Sequence, residues 1–334
     1  MDINFSSMPS SKDLCDLVNW IVDYSSYKEV KDKVLKDALE HATTEQCKFL
    51  AAWAVTDKIA ESFAEKMLND VTPEQCEYLA INGKTDKIAE SFAKKLLPKA
   101  TSEQCEELVT RGKTRNVIKM FADKLLPIAT DEQCISIVEW LDVDDIAVDF
   151  SKKVLSKASY ETCVDLAIRA SSPKAALLFA KKLLPKANDS TCVYLARNGK
   201  TDEIATMFAK KVIPNISNDD CESLVNGGKT EEISVMAANH LVVNATEWEL
   251  SFFSRNGKTE KIALIFANKL ISDVSDKVAI DIVLEANFEK VAIMFAKKIL
   301  DKVDCDKCKK LAINSDFEGV RNMFSERVRK GLCK

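Results

Sequence analysis

The chain has 334 residues, of which 46% are hydrophobic and 30% are charged, proportions typical of a folded globular protein. Its net charge of −4 excludes a general attraction to nucleic acid, and no stretch approaches the roughly 18 consecutive apolar residues of a membrane-spanning helix. The N-terminus, MDINFSSMPSS, lacks the basic and apolar segments of a secretory signal, so we expect a cytoplasmic, reducing location.

The chain opens with a predicted N-terminal tail and irregular capping repeat over residues 1–46, where Cys15 lies 32 residues before Cys47. From Cys47 onward the sequence repeats every 29 residues. The period falls on Cys47, Cys76, Cys105, Cys134, Cys163, Cys192, Cys221, Leu250, Ala279 and Cys308. We number the repeats 1 to 10 from Cys47, and predict nine regular repeats over 47–307 and a C-terminal capping repeat over 308–334.

Each repeat has the pattern of two short helices. Thr101, followed three residues later by Gln104, is a capping-box pattern that predicts the start of the first helix. We expect Gly83 to end such a helix in the left-handed conformation that glycine favours, and Thr85 to cap the start of the second helix. Pro98 then predicts the end of the second helix, because proline cannot donate a backbone hydrogen bond.

The triplet Gly83-Lys84-Thr85 also matches the last three residues of a nucleotide-binding phosphate loop. That loop requires a second glycine five residues earlier, where this chain has Tyr78. The triplet recurs at 112–114, 199–201, 228–230 and 257–259, and each copy lacks the second glycine. We therefore interpret it as a helix end, a link and a helix start.

The second helices carry an apolar stripe that requires stacked neighbours. Counting the cysteine as position 1, position 17 is Phe in every repeat except the seventh, which has Ala237. Two short helices cannot bury this stripe alone. The sequence therefore predicts an all-α fold, a right-handed-type α-solenoid of about ten 29-residue two-helix repeats plus an irregular N-terminal capping repeat. Over residues 12–334 the pattern resembles the HEAT, armadillo and tetratricopeptide class of helical-pair repeats, without the signature of any one family.

The cysteines and histidines do not form a catalytic or metal-binding pattern. Equivalent cysteines of stacked repeats should lie about 10 Å apart, whereas a disulfide needs Cα atoms within roughly 7 Å, so we expect free, buried thiols. Cys333, near the C-terminus, is the expected exposed exception. Cys305 and Cys308 form a Cys-x-x-Cys pair without a second pair of ligands. We predict no enzyme activity, no metal and no cofactor.

Position 20 of the second helix forms a basic row. In repeats 4 to 10 it is basic except at His240, and its candidate binding residues are Lys153, Lys182, Lys211, Lys269, Lys298 and Arg327. In one interpretation each cation complements the negative end of a helix dipole. In the other, the row binds an acidic peptide or a phosphate backbone.

Position 16 forms an apolar row in the second half of the chain. Its members are Leu178, Met207, Met236, Ile265, Met294 and Met323. At 100° per residue, position 16 lies about 40° from position 20, outside the core stripe. Either neighbouring second helices bury these residues, or they line a binding groove in which methionine adapts to a partner.

These patterns predict a non-enzymatic interaction scaffold. We expect it to bind a protein or peptide with apolar anchors and acidic flanks along the second-helix face of repeats 5–10. The alternative is a nucleic-acid-binding α-solenoid that uses the basic row. Acidic residues interrupt the adjacent position 19, as at Asp123, and no aromatic row is available to stack bases.

Overall fold

A computed structural model describes residues 11–24 and 28–332 of the chain. It contains 22 α-helices in consecutive packed pairs, and the described residues include no strand. The predicted all-α repeat fold is therefore confirmed. The first helices of the pairs are α1 (Ser11–Tyr24), α3 (Thr44–Trp53), α5 (Pro73–Asn82), α7 (Ser102–Arg111), α9 (Asp131–Trp140), α11 (Tyr160–Arg169), α13 (Asp189–Asn198), α15 (Asn218–Gly227), α17 (Glu247–Asn256), α19 (Asp276–Glu285) and α21 (Cys305–Asn314).

The second helices follow them directly. They are α2 (Lys28–His41), α4 (Asp57–Met67), α6 (Asp86–Leu96), α8 (Arg115–Leu125), α10 (Asp144–Leu155), α12 (Pro173–Leu183), α14 (Asp202–Val212), α16 (Glu231–Asn244), α18 (Glu260–Leu270), α20 (Glu289–Ile299) and α22 (Glu318–Arg329). None of these helices is both long enough and apolar enough to cross a bilayer.

The chain forms two compact bodies. The N-terminal body comprises Met1–Ser159 with Arg169–Leu178, and the C-terminal body comprises Tyr160–Ile168 with Phe179–Lys334. Within each body, the first helix packs on the second helix of the same repeat. Helices of each kind also pack on their counterparts in the next repeat, as α3 does on α5 and α14 on α16. Each body is therefore a stack of helical pairs.

The repeated phenylalanines and cysteines form the core of these stacks. Every position-17 Phe from Phe63 to Phe324 is at most 1% exposed, and the nine cysteines at position 1 or its N-terminal counterpart Cys15 are at most 3% exposed. The expected burial of the thiols is confirmed, while Cys333 lies outside the described residues. At the one break in the Phe row, Ala237 is also fully buried, and the following repeat adds Phe253, which stacks on Phe266 at 4.7 Å.

The corner between the two helices differs from the prediction in one respect. Gly83 does end α5, but with φ −52° and ψ 136°, so the expected left-handed conformation is wrong. A Cβ at this position would lie 2.5 Å from the Leu79 carbonyl oxygen and 2.8 Å from Ile88 Cγ2. Glycine is favoured here because α5 and α6 approach closely at the corner. Thr85 caps α6 as predicted, accepting a hydrogen bond from the Ile88 N–H.

In most repeats the corner also donates a hydrogen bond to the repeat before it. The backbone N–H of Lys84 donates to the Ala51 carbonyl at 3.0 Å, and Lys113 donates to Ala80 at 3.2 Å. In the C-terminal body, Lys200 donates to the Ala167 carbonyl at 3.0 Å. The Gly-Lys-Thr triplet therefore ends one helix, starts the next and supplies a hydrogen bond between repeats.

The predicted capping boxes are present in repeats 1 to 4, at Thr43, Thr72, Thr101 and Thr130. In repeat 3, the Gln104 side-chain amide also donates to the Glu77 carboxylate of the preceding repeat at 3.0 Å. In repeat 8, the equivalent capping residue is Glu249, which is only 8% exposed. Its neighbour in the preceding repeat is the half-buried Glu222. An amide–carboxylate pair is thus replaced by two carboxyl groups.

This replacement changes how the pair titrates. Burial, followed by the charge and hydrogen bonding of Glu249, raises the pKa of Glu222. Burial acts in the same direction on Glu249, but hydrogen bonds from the Thr246 hydroxyl and backbone N–H are stronger in total and lower the pKa of Glu249. The pair is therefore most stable with a single proton, held on Glu222.

We expect Glu222→Gln to stabilise the protein at neutral pH by about 1 kcal/mol, because the amide is a permanent donor to Glu249 whereas the carboxyl group loses its proton as pH rises. A raised folded-state pKa gives stability that is complete below the ordinary Glu pKa of about 4.3 and is lost as pH rises through the raised value. The melting temperatures of parent and variant should thus converge near pH 4 and separate above it. Equal melting temperatures at pH 7 would contradict this account.

We also expect the buried thiols to react slowly with a thiol reagent. Burial raises the pKa of Cys105, Cys134 and Cys163, and raises that of Cys221 to about 11, so little reactive thiolate forms at pH 8. The half-exposed Cys305 is the internal control. Mass spectrometry of labelled peptides should show Cys305 modified first and the other four only after addition of urea. Equal native labelling rates would show that the thiols are not held in the core.

Candidate functional site

The two predicted rows lie on the second helices, and the structure gives them different surroundings. In the basic row, the ammonium groups reach back to the preceding repeat. Lys124, the repeat-3 counterpart of the row, donates from Nζ to the carbonyl oxygens of Leu97 and Ala100 at 2.6 and 2.8 Å. In repeat 6, Lys211 makes the same pair of bonds to Leu184 and Ala187 at 2.5 and 2.7 Å.

The other members of the basic row differ in their hydrogen-bond partners. Lys153 donates to the Leu126 carbonyl at 2.5 Å, and Lys298 donates to those of Ile271 and Ser272 at 2.5 and 2.9 Å. Arg327 is buried and pairs with Asp301. Lys182 is half-buried. Half of the row, namely Lys153, Lys211 and Lys298, thus donates to carbonyl groups that the end of a helix leaves without intrahelical partners.

Lys269 is the exception in the basic row. It is exposed, and within the described part of the chain it makes no hydrogen bond to a carbonyl. The helix before it, α16, runs 14 residues to Asn244, whereas α14 ends after 11 residues at Val212. The Val242 carbonyl, which corresponds to that of Leu184, therefore lies inside a continuing helix. The ammonium group of Lys269 is left at the surface.

The apolar row is neither in the core nor fully exposed. All six members, from Leu178 to Met323, are half-buried, whereas their helix neighbours Phe208 and Ala209 are completely buried. Leu178 belongs to the N-terminal body. The other five take equivalent positions on α14, α16, α18, α20 and α22, which pack on one another in sequence order. They form a partly open apolar strip along the C-terminal body.

Neighbouring residues widen this strip. Position 15 adds Val235, Leu264 and Ile293, each half-buried. At position 19, Lys210 and Lys297 are exposed, and neither ammonium group has an ion-pair partner among the described residues. Sequence reasoning passed over these two lysines because acidic residues interrupt their column elsewhere. Lys210, Lys269 and Lys297 are therefore basic groups beside this strip whose ammonium groups have no ion-pair partner among the described residues.

The residues described hold no cluster of three or more His, Cys, Asp or Glu side chains arranged to bind a metal ion. The polar contacts on this surface include the lysine–carbonyl bonds and ion pairs such as Lys290–Glu260, whose charged atoms are 2.7 Å apart. What the strip offers chemically is apolar area with cationic groups beside it.

Comparison with known proteins finds solved structures of low sequence identity. No family model and no curated protein sequence matches the chain. Among solved structures, it is similar to c5321, a protective antigen of uropathogenic Escherichia coli with an SLR fold (10% identity, TM-score 0.25, covering 91% of this chain and 79% of that one). A Sel1 repeat protein from Oxalobacter formigenes (8%, 0.27, 83% and 95%) and APUM23–GGAGUUGACGG (8%, 0.25, 98% and 94%) are similarly distant.

We expect Lys124→Met to destabilise the protein by about 1 to 2 kcal/mol, because it leaves two carbonyl groups at a helix end without their cation. Methionine keeps most of the apolar stem. Lys269→Met is the matched control and should change the free energy of unfolding by less than about 0.5 kcal/mol. Urea titrations measure both. If the two variants lose the same stability, the lysine–carbonyl bonds do not hold the repeats together.

Proposed function

We propose that the chain is a non-enzymatic protein-interaction scaffold whose partner binds along the apolar row of the C-terminal body. The observation that carries this proposal is the half-buried state of Met207, Met236, Ile265, Met294 and Met323 on consecutive helices. On α14, α16, α18 and α20, the residues at positions 13, 14 and 17 that form the stack are buried completely. Exposed apolar area that recurs along one face is typical of a binding surface.

The chemistry beside the row indicates what kind of segment fits. Methionine side chains are flexible and polarizable, so they suit an apolar partner surface of irregular shape. The exposed ammonium groups of Lys210, Lys269 and Lys297 would pair with carboxylates flanking the apolar anchors. We therefore propose a protein or peptide partner with apolar anchors and acidic flanks.

A protein partner is favoured over a nucleic acid by the state of the basic row. Lys153, Lys211 and Lys298 donate to backbone carbonyls, so these cations already have partners within the stack. A phosphate would have to displace those bonds. Aromatic residues for base stacking are also absent from the apolar row itself.

The test replaces Met207, Met236 and Met294 with Ser. Serine is compatible with this position, because Ser62 and Ser91 occupy it in repeats 1 and 2 and donate to carbonyls one turn earlier at 2.9 and 2.7 Å. The melting temperature of the triple variant should therefore stay within a few degrees of the parent. A partner captured by the parent chain would be identified, purified and titrated against each variant by calorimetry.

We expect the triple variant to bind at least about tenfold more weakly, equivalent to about 1.4 kcal/mol, because apolar contact area is lost. Met120→Ser is the matched control: it has the same position on α8 in the N-terminal body and should leave affinity unchanged. Affinity should depend weakly on salt, whereas binding to a phosphate backbone falls steeply. Unchanged affinity of the triple variant, or its unfolding at low temperature, would assign the row to packing alone.

A further inference from the structure

A second surface, on the first helices of the N-terminal body, carries a groove that the proposed scaffold site does not use. It lies between α7 and α9 and has a volume of about 550 Å³. One wall is formed by Glu103, Glu106 and Glu107 of α7, and the other by Ser136 and Trp140 of α9. Residues three or four apart on a helix share a face, so each wall is a continuous helix surface.

Trp140 is the distinctive residue of this groove. All four tryptophans of the chain are more than half exposed. Trp53 donates to the Tyr78 hydroxyl at 3.0 Å, and Trp248 stacks on Phe252 with ring centroids 5.3 Å apart. Trp140 is 66% exposed, and within the described part of the chain it has neither a hydrogen bond nor a ring contact. Its indole face and N–H are therefore available to a ligand.

Space beside this indole comes from a small residue one turn earlier. Ser136 occupies position 3 of its repeat, where repeats 2 and 6 have Tyr78 and Tyr194. A tyrosine there would extend over the neighbouring helix surface, as Tyr78 does when it bonds to Trp53. Serine leaves the groove open next to the ring.

The groove has an excess of negative charge. Three glutamates line it against one arginine, Arg111, which pairs with Glu107 on the same helix. Glu103 and Glu106 carry no ion pair among the described residues. The backbone N–H of Glu103, followed by the Thr101 hydroxyl, lowers the pKa of Glu103, so it is ionised at neutral pH. A cation entering the groove therefore meets uncompensated carboxylates beside an aromatic face.

We propose that this groove binds a basic peptide segment, with one Lys or Arg side chain stacked on the Trp140 indole and the positive charges of the segment paired with Glu103 and Glu106. A cation over an indole face is attracted by the negative charge of the ring, and arginine also stacks its planar guanidinium there. The same carboxylates repel phosphates, so the groove selects against nucleic acid. This site is independent of the apolar row and its partner.

The experiment titrates the full chain into a fluorescein-labelled octapeptide of alternating Arg and Gly, followed by fluorescence anisotropy at low ionic strength. The control peptide has Glu in place of each Arg. We expect the Arg peptide to bind and the Glu peptide not to bind. Trp140→Ala should weaken binding about fivefold, within the range of a single cation–π contact, and Glu103→Gln with Glu106→Gln should weaken it about tenfold or more.

The matched control is Trp248→Ala, which removes an equally exposed tryptophan, 65% against 66%, from another first helix. It should bind the Arg peptide like the parent, as should the Met207, Met236 and Met294→Ser variant. Trp140→Phe keeps an aromatic face and should bind better than Trp140→Ala, with melting temperatures confirming that each variant is folded. The proposal is overturned if the Arg peptide does not bind, if the Glu peptide binds equally, or if Trp140→Ala and Trp248→Ala behave alike.

Discussion

Most repeats are tied to the preceding one by hydrogen bonds at one or both ends of the second helix, and the regular stack depends on these connections. At the corner before the second helix, a backbone N–H such as that of Lys84 donates to a carbonyl in the last turn of the preceding first helix. At the other end, a lysine such as Lys124 donates to carbonyls that follow the preceding second helix. A constant period follows from this, because an inserted residue would displace one connection relative to the other. The cores of Phe and Cys residues can then pack identically from repeat to repeat.

The period made the fold predictable, since equivalent residues recur at a spacing that only stacked helical pairs explain. Local features were predicted correctly where they depend on a few adjacent residues, as with the capping boxes at Thr101 and Thr130. The conformation of Gly83 was wrong because it is set by the approach of two helices, which the local sequence does not contain. The hydrogen-bond partners of the basic row could not be predicted from the sequence either. They are backbone carbonyls of a different repeat, and no side-chain pattern records them.

The same limit applies to the candidate site. Sequence alone located the apolar row but left its burial open between two interpretations, because exposure depends on how closely neighbouring helices approach. In the structure all members of the apolar row are half-buried, neither in the core nor fully exposed. The structure also shows that Lys210 and Lys297, which lie in a column of mixed charge, and Lys269 of the basic row have no ion-pair partner among the described residues. Lys269 follows the longest of the second helices in the C-terminal body, α16, and it is the member of the basic row that is exposed.

Departures from the repeat pattern gather around repeats 7 and 8. There the Phe row is interrupted by Ala237, the cysteine is replaced by Leu250, and Phe253 stands where most repeats have leucine. The capping glutamine also becomes Glu249, which faces Glu222 and makes the contact depend on a proton. Because the changes fall on residues that connect two repeats, they alter one junction together.

The positions that the stack requires and those that it leaves free are separable, and this bears on where binding specificity lies. Positions 1, 4, 17 and 20 are nearly constant because most repeats use each of them for the same contact. Positions 3 and 7 on the first helix and 15, 16 and 19 on the second vary widely, from Ser136 to Tyr194 and from Asp149 to Met236.

A stack alone does not require a tryptophan without a ring contact at position 7, nor a half-buried row of methionines at position 16. Both features lie on surface that packing between helices leaves uncovered. The tryptophan is on a first helix, and the methionines are on second helices. A scaffold built this way can present an apolar surface with basic edges and an acidic aromatic groove at once, since changing one does not disturb the contacts that support the other.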